Sequence, residues 1–234
     1  MSGCEINNST NFTKSILIDT QLEKHDIKSI DYQLENERYN IFIQYPELQC
    51  YFLGSNLEKI NEMIKNEALK KAVEYEQDAD DEYDLGHVTL EINYEIKYFS
   101  ESYISITFKR DFTARRAAHP TSLFYTLNID LKKAKHIKLG DMANVDEYFV
   151  RCFRKAIKDR QKTNPYPAAY DYFTDISDKR ILEYLKSSDC LKNHCETFSY
   201  FTYNQICIVY TVPHSIGDYT IVEIDMKSLD EIKE

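Results

Sequence analysis

The stretch VTLEINYEIKY, Val88 to Tyr98, sets Val88, Leu90, Ile92, Tyr94, Ile96 and Tyr98 in strict alternation with Thr89, Glu91, Asn93, Glu95 and Lys97. A period of two sends the two sets to opposite faces of an extended chain, so this is a long, half-buried strand. After a short turn at Ser100 and Glu101, Ile104, Ile106 and Phe108 repeat the pattern. Leu123, Tyr125, Leu127, Ile129 and Leu131 repeat it again. Three such runs in succession predict an antiparallel meander.

Upstream, strands are expected over Ser15–Asp26 and Arg38–Tyr45, the second ending at Pro46, which has no N–H to give a ladder. Ser55 and Glu58 stand at capping-box spacing ahead of Leu57, Ile60, Ile64, Ala68, Ala72 and Tyr75, an apolar stripe of helical period. Downstream, Asn144 and Glu147 announce a second helix that must stop before the prolines of TNPYP, and a third opens near Ser177. Strands follow at Phe198–Tyr203, Ile206–Val212 and Tyr219–Asp225. The expected fold is α+β: an antiparallel sheet, made of the meander and returning C-terminal strands, packed against about three helices. Residues 1–14 read as a flexible tether, 15–140 as an N-terminal α+β part, and 141–234 as a C-terminal part sharing the same sheet system.

The chain of 234 residues is 43% hydrophobic and 29% charged with only 5 Gly and 5 Pro, a composition of ordered globular proteins. Its net charge of −10 disfavours a phosphate backbone as ligand, so nucleic acid is not expected, and suits a cationic partner. No apolar run is long enough to span a bilayer. The opening Met1-Ser2-Gly3-Cys4 followed by polar residues is similar to a bacterial lipoprotein start, with Cys4 as the lipid-bearing residue. Any membrane association would then run through that lipid.

Cys190 and Cys195 in CLKNHC are close enough to bridge in an oxidising compartment. With His194 they offer three metal ligands, but no fourth at regular spacing, so a structural zinc is not expected. Asp78, Asp80 and Glu82 have the look of a calcium loop, yet Tyr83 stands where that loop needs glycine. A solvated acidic loop is the simpler reading, and no cofactor is expected.

Two places carry chemistry-bearing side chains. KRDFTARRAAHPTS gathers Arg115, Arg116 and His119, which suit an anion or a sugar carboxylate; His119 before Pro120 serves equally to fix a turn. VPHSIGDYT holds His214, Ser215, Asp218 and Tyr219. The first three are the residue types of a hydrolytic triad, but triad members converge from separate elements, and a turn at Gly217 explains them as well.

The order of YPEL (Tyr45–Leu48), NLEKINEMI, YEIKYFSESYISITF, AAHP, LNIDLKKAKHIKLGDM and FSYFTYNQICIVYTVPHSIGDYTIVEI resembles the extracytoplasmic domain shared by the lysozyme-sensing anti-sigma-V factor and the N-terminal region of certain peptidoglycan deacetylases. The resemblance spans about Tyr45 to Leu229. It implies a non-catalytic, extracytoplasmic binding or sensor domain of the bacterial cell envelope. The implied partner is a basic protein such as lysozyme, or cell-wall glycan. The competing expectation is a hydrolase or deacetylase acting on wall polymer, with His119 or His214 as base.

Overall fold

The computed structural model of the chain describes residues 12, 16, 27–78, 86–163, 168–190 and 195–230. They fall into two compact units, Gln21–His136 and the remainder, Met1–Thr20 with Ile137–Glu234. The fold is α+β, with one six-stranded and one three-stranded sheet.

In the first unit the order is β1 (Ile27–Glu35), β2 (Tyr39–Leu48), α1 (Asn56–Asp78), β3 (Val88–Phe99), β4 (Tyr103–Ala114), β5 (Thr121–Asp130) and the short β6 (Lys135–His136). Each strand pairs with the next, β1 to β6 in sequence order. The meander expected from alternation is β3, β4 and β5, with antiparallel register from Val88 opposite Ala114 to Phe99 opposite Ile104. β2 and β3 instead run parallel, Tyr39 opposite Val88 and Ile43 opposite Ile92, because α1 carries the chain back across the sheet between them. The even-numbered side of β3 (Val88, Leu90, Ile92) is buried together with Ile41, Ile43, Ile106 and Phe108. α1 buries Ile60, Ile64 and Ala68, as its stripe predicts, and Tyr125 stacks on Phe108 while its hydroxyl donates to the Ala68 carbonyl.

Two asparagines seat α1. Asn61 accepts from the Leu48 N–H at 2.8 Å and donates to the Leu48 carbonyl at 2.9 Å, so both backbone groups at the end of β2 are satisfied by one amide. Asn56 donates to the carbonyls of Leu131 and Lys132.

The second unit contains α2 (Leu139–Met142), α3 (Glu147–Thr163), α4 (Ala168–Asp171), α5 (Asp178–Lys186), β7 (Thr197–Phe201), β8 (Gln205–Thr211), β9 (Tyr219–Asp225) and α6 (Met226–Asp230). Among the described residues the C-terminal strands form a sheet of their own, β7, β8 and β9 pairing antiparallel with one another. Alternation specifies which face of a strand is buried but not which neighbour it joins, so two sheets form where one shared sheet is expected from sequence. The cap of α3 also differs. Asp146, rather than Asn144, accepts from the Tyr148 and Phe149 N–H groups, and Asn144 donates to the other Asp146 oxygen. Ser177 caps α5 as expected, its hydroxyl accepting from the Arg180 N–H.

The strand expected over Ser15–Asp26 lies outside the described residues except at Ile16, which is helical and fully buried. Phe12, within the stretch expected to be a tether, is buried edge-on to Phe201 with ring centroids 5.3 Å apart.

At the start of β7 sits a buried carboxylate. Asp189 accepts from the Leu139 N–H at 2.8 Å, the Ser199 N–H at 2.7 Å and the Ser199 hydroxyl at 2.6 Å, tying α2 to β7. Its own backbone is left-handed, at φ 59°.

Candidate functional site

The residues singled out by sequence fall in different units. Arg115, Arg116 and His119 are all exposed in the connection between β4 and β5. That connection is closed by backbone: Arg115 N–H donates to the His87 carbonyl and Ala117 N–H to that of Ala114. Gly86 packs beneath it at φ 71°, where an added Cβ would meet the Arg115 Cβ at 3.2 Å.

His214 and Asp218 belong to the turn between β8 and β9, and Tyr219 opens β9. His214 Nδ1 lies 2.8 Å from Asp218 Oδ1, the contact that orients a catalytic imidazole in hydrolases. Here both partners belong to one turn, in which Gly217 and Asp218 adopt φ 118° and 67° and Gly217 N–H donates to the His214 carbonyl. Ser215 directly follows His214 in the chain and is exposed. The pair therefore holds a strained hairpin end, as the glycine predicted.

Cys4 and His194 lie outside the described residues. Cys190 and Cys195 are thiols whose atoms adjoin: the Cys190 N–H donates to Cys195 Sγ at 3.2 Å, and that sulfur in turn donates to the Thr197 carbonyl at 3.2 Å. Burial, reinforced by the neighbouring Cys190 thiol, pushes the Cys195 thiol up to about 12. At pH 8 it is almost wholly protonated, and thiolate is the nucleophile. Iodoacetamide at that pH should label reduced Cys195 at least ~100-fold more slowly than an unperturbed cysteine peptide, as read by mass spectrometry of the digest.

Two further surfaces carry no sequence signature. The first is the face of the six-stranded sheet that carries the odd-numbered residues of β3. Register sets Glu35 beside Asn40, Asp31 beside Gln44, and Phe42 beside Glu91. It continues with Glu91 beside Asp111, Asn93 beside Lys109, and Ser122 beside Asp111. Asp31, Glu35, Glu91 and Glu95 are exposed on this face. Gln44 donates to Asp31, Asn93 to Glu91, Lys97 to Glu95, and Lys109 with Ser122 to Asp111. Partial burial works to raise the Asp111 carboxyl. The hydrogen bonds from Lys109 and Ser122 and the charges of Lys109 and Arg110 outweigh it and hold the group below the ordinary carboxylate value. The result is a pleated acidic surface on which amides hold Asp31 and Glu91 while lysines hold Glu95 and Asp111.

The second surface is aromatic and lies in the other unit. Arg154 of α3 donates to the carbonyls of Phe173 and Ile176 and to Asp178, fixing the segment between α4 and α5. That segment sets Tyr172 and Phe173 against Tyr210 of β8, and α5 brings Tyr184 edge-on to the same ring at 5.4 Å. Tyr210 is buried, and desolvation, with Tyr184, Tyr172 and Glu196 around it, drives its hydroxyl well above the ordinary tyrosine value. Arg180 donates through Nε to the Tyr184 hydroxyl at 2.9 Å, its guanidinium 5.2 Å from that ring's centre.

No family model matches the sequence, and no curated protein does. Solved structures do. A DUF3298 family protein from Pseudomonas aeruginosa PAO1 superposes with a TM-score of 0.58 at 12% identity, covering 92% of this chain and 94% of its own. A DUF3298 family member from Bacteroides fragilis NCTC 9343 does so with a TM-score of 0.50 at 14% identity, again over 92% and 94%. The fold is shared with DUF3298 proteins. That likeness supports the bacterial, uncharacterised-domain part of the resemblance seen in the sequence. It contains nothing of anti-sigma factors, deacetylases, lysozyme or lipoproteins.

Proposed function

We propose that this chain is a non-catalytic binding or sensor domain of the bacterial cell envelope, acting outside the cytoplasmic membrane, and that it docks a basic protein of the lysozyme type. The observation that carries this reading is the acidic sheet face, where Asp31 and Glu35 of β1 and Glu91 of β3 stand exposed on either side of β2. Gln44 and Asn93 hold the Asp31 and Glu91 carboxylates by hydrogen bonds, which limits the side-chain reordering that docking requires. The chain's net charge of −10 adds long-range attraction for a cationic partner, which raises the association rate and makes it depend on salt.

Calorimetric titration with an animal-type lysozyme, at low and at moderate salt, tests this. A basic protein of similar charge serves as the control. Saturable binding is expected, weakening as salt rises, with the control binding far less. Charge reversal at Asp31 and Glu91 together should lower the affinity by about tenfold or more. Equal binding of the control, or no effect of the reversal, would overturn the reading. Binding of wall glycan with none of lysozyme would replace the partner and keep the envelope assignment. Turnover of wall polymer that is lost in His214→Ala would instead favour a hydrolase.

A further inference from the structure

Tyr172 and Tyr184 both pack against the buried Tyr210, Tyr172 being 38% exposed and Tyr184 half-buried. Their positions are set by ring contacts and by the Arg154 bonds described above, so the aromatic surface is preorganised. Arg180 is the cation of this surface. Arg154 takes Asp178 and Arg160 takes Glu223, whereas Arg180 is bonded to a tyrosine, and no carboxylate among the described residues pairs with it. Its Nε is used by Tyr184, which aligns the guanidinium and leaves the two terminal nitrogens as a fork of the geometry that grips a carboxylate. Glu183 and Glu196, both exposed and close enough to act electrostatically on Arg180 and Tyr210 respectively, offer acceptors at the rim.

Aromatic rings flanked by a few fixed polar groups make a surface for a ligand with both apolar and hydroxylated faces. A pyranose is such a ligand, with a sheet of C–H bonds on one side and hydroxyls at its edge. We propose that the Tyr172–Tyr184–Arg180 surface binds an acidic saccharide, its C–H face against the tyrosines and its carboxylate on the Arg180 fork. The chain's net charge of −10 opposes an anion at long range, but screening confines that opposition to about 8 Å at physiological salt. Recognition then rests on the short-range fork and rings.

This site is independent of the lysozyme reading, since the acidic sheet face belongs to the other unit. The probe is tri-galacturonate, compared with its methyl ester, followed by calorimetry and by saturation transfer to the sugar protons. The acid is expected to bind saturably and the ester about tenfold more weakly. Arg180→Gln should weaken binding of the acid by about tenfold while leaving the ester unchanged, and Tyr172→Ala should weaken both. Both positions are solvent-facing, and a melting curve matching the native chain shows that the variants fold. The proposal is overturned by any of three results: no saturable binding of the acid, equal binding of acid and ester, or variants that bind as the native chain does.

Discussion

Asp189→Ala should unfold the C-terminal unit at markedly lower denaturant than the native chain, with a loss of about 3–5 kcal/mol. Three donors converge on this one side chain, the N–H groups of Leu139 and Ser199 and the Ser199 hydroxyl, and Asp189 is only 3% exposed. Alanine strands all three where water does not replace the lost acceptor. Asparagine does not rescue it, because each carboxylate oxygen faces a backbone N–H and the amide must turn its NH₂ toward one of them. Glycine separates the two contributions. It relaxes the left-handed backbone at φ 59° but leaves the donors unpaired, so it should be nearly as unstable as alanine. A urea melt in which Asp189→Gly matched the native chain would show that backbone strain, and not the bonds, is what this position contributes.

Asn61→Ala is the second large effect, about 2 kcal/mol in the first unit. One amide satisfies both the N–H and the carbonyl of Leu48, itself buried, where β2 ends and no further strand residue takes over. Asn61→Asp keeps the acceptor but aims a carboxylate oxygen at the Leu48 carbonyl. A protonated carboxyl can donate there, so folding raises this carboxyl's pKa. A raised carboxyl contributes stability below its unfolded pKa and loses it as pH rises through the folded value. Melts of Asn61→Asp should therefore improve on acidification through the carboxylate range, relative to Asn61→Ala. A pH-independent difference between the two would show that the carbonyl contact does not operate.

The meander was legible because Val88 to Tyr98 alternates without exception and both faces of that strand have different fates. β1 was not, because Ile27–Glu35 is an edge strand, exposed on one side and only half-buried on the other, and its apolar residues break step between Ile27 and Ile30. The parallel pairing of β2 with β3 leaves no local mark either, since it follows from where α1 returns the chain. At the sites, His214 and Asp218 drew attention as catalytic types and turned out to close a hairpin. Tyr172, Tyr184 and Tyr210 leave no joint mark in the sequence, being single tyrosines from a connection, a helix and a strand. Only the register reveals that Asp31, Glu91 and Asp111 share one surface. A sequence search for acids at alternate positions on predicted neighbouring strands would have found Glu91 and Glu95, but not their partners.

The placement of Phe12 against Phe201 bears on the order in which the molecule is made. The unit Gln21–His136 is continuous in sequence, and its strands pair in the order they are synthesised, so it can assemble as it emerges. The other unit has its first aromatic residue at position 12 and that residue's partner nearly two hundred positions later. Phe12 must therefore wait for that partner until β7 has been made. Completion of that unit thus depends on its latest strands: the packing that covers Phe12 forms only once β7 has been made.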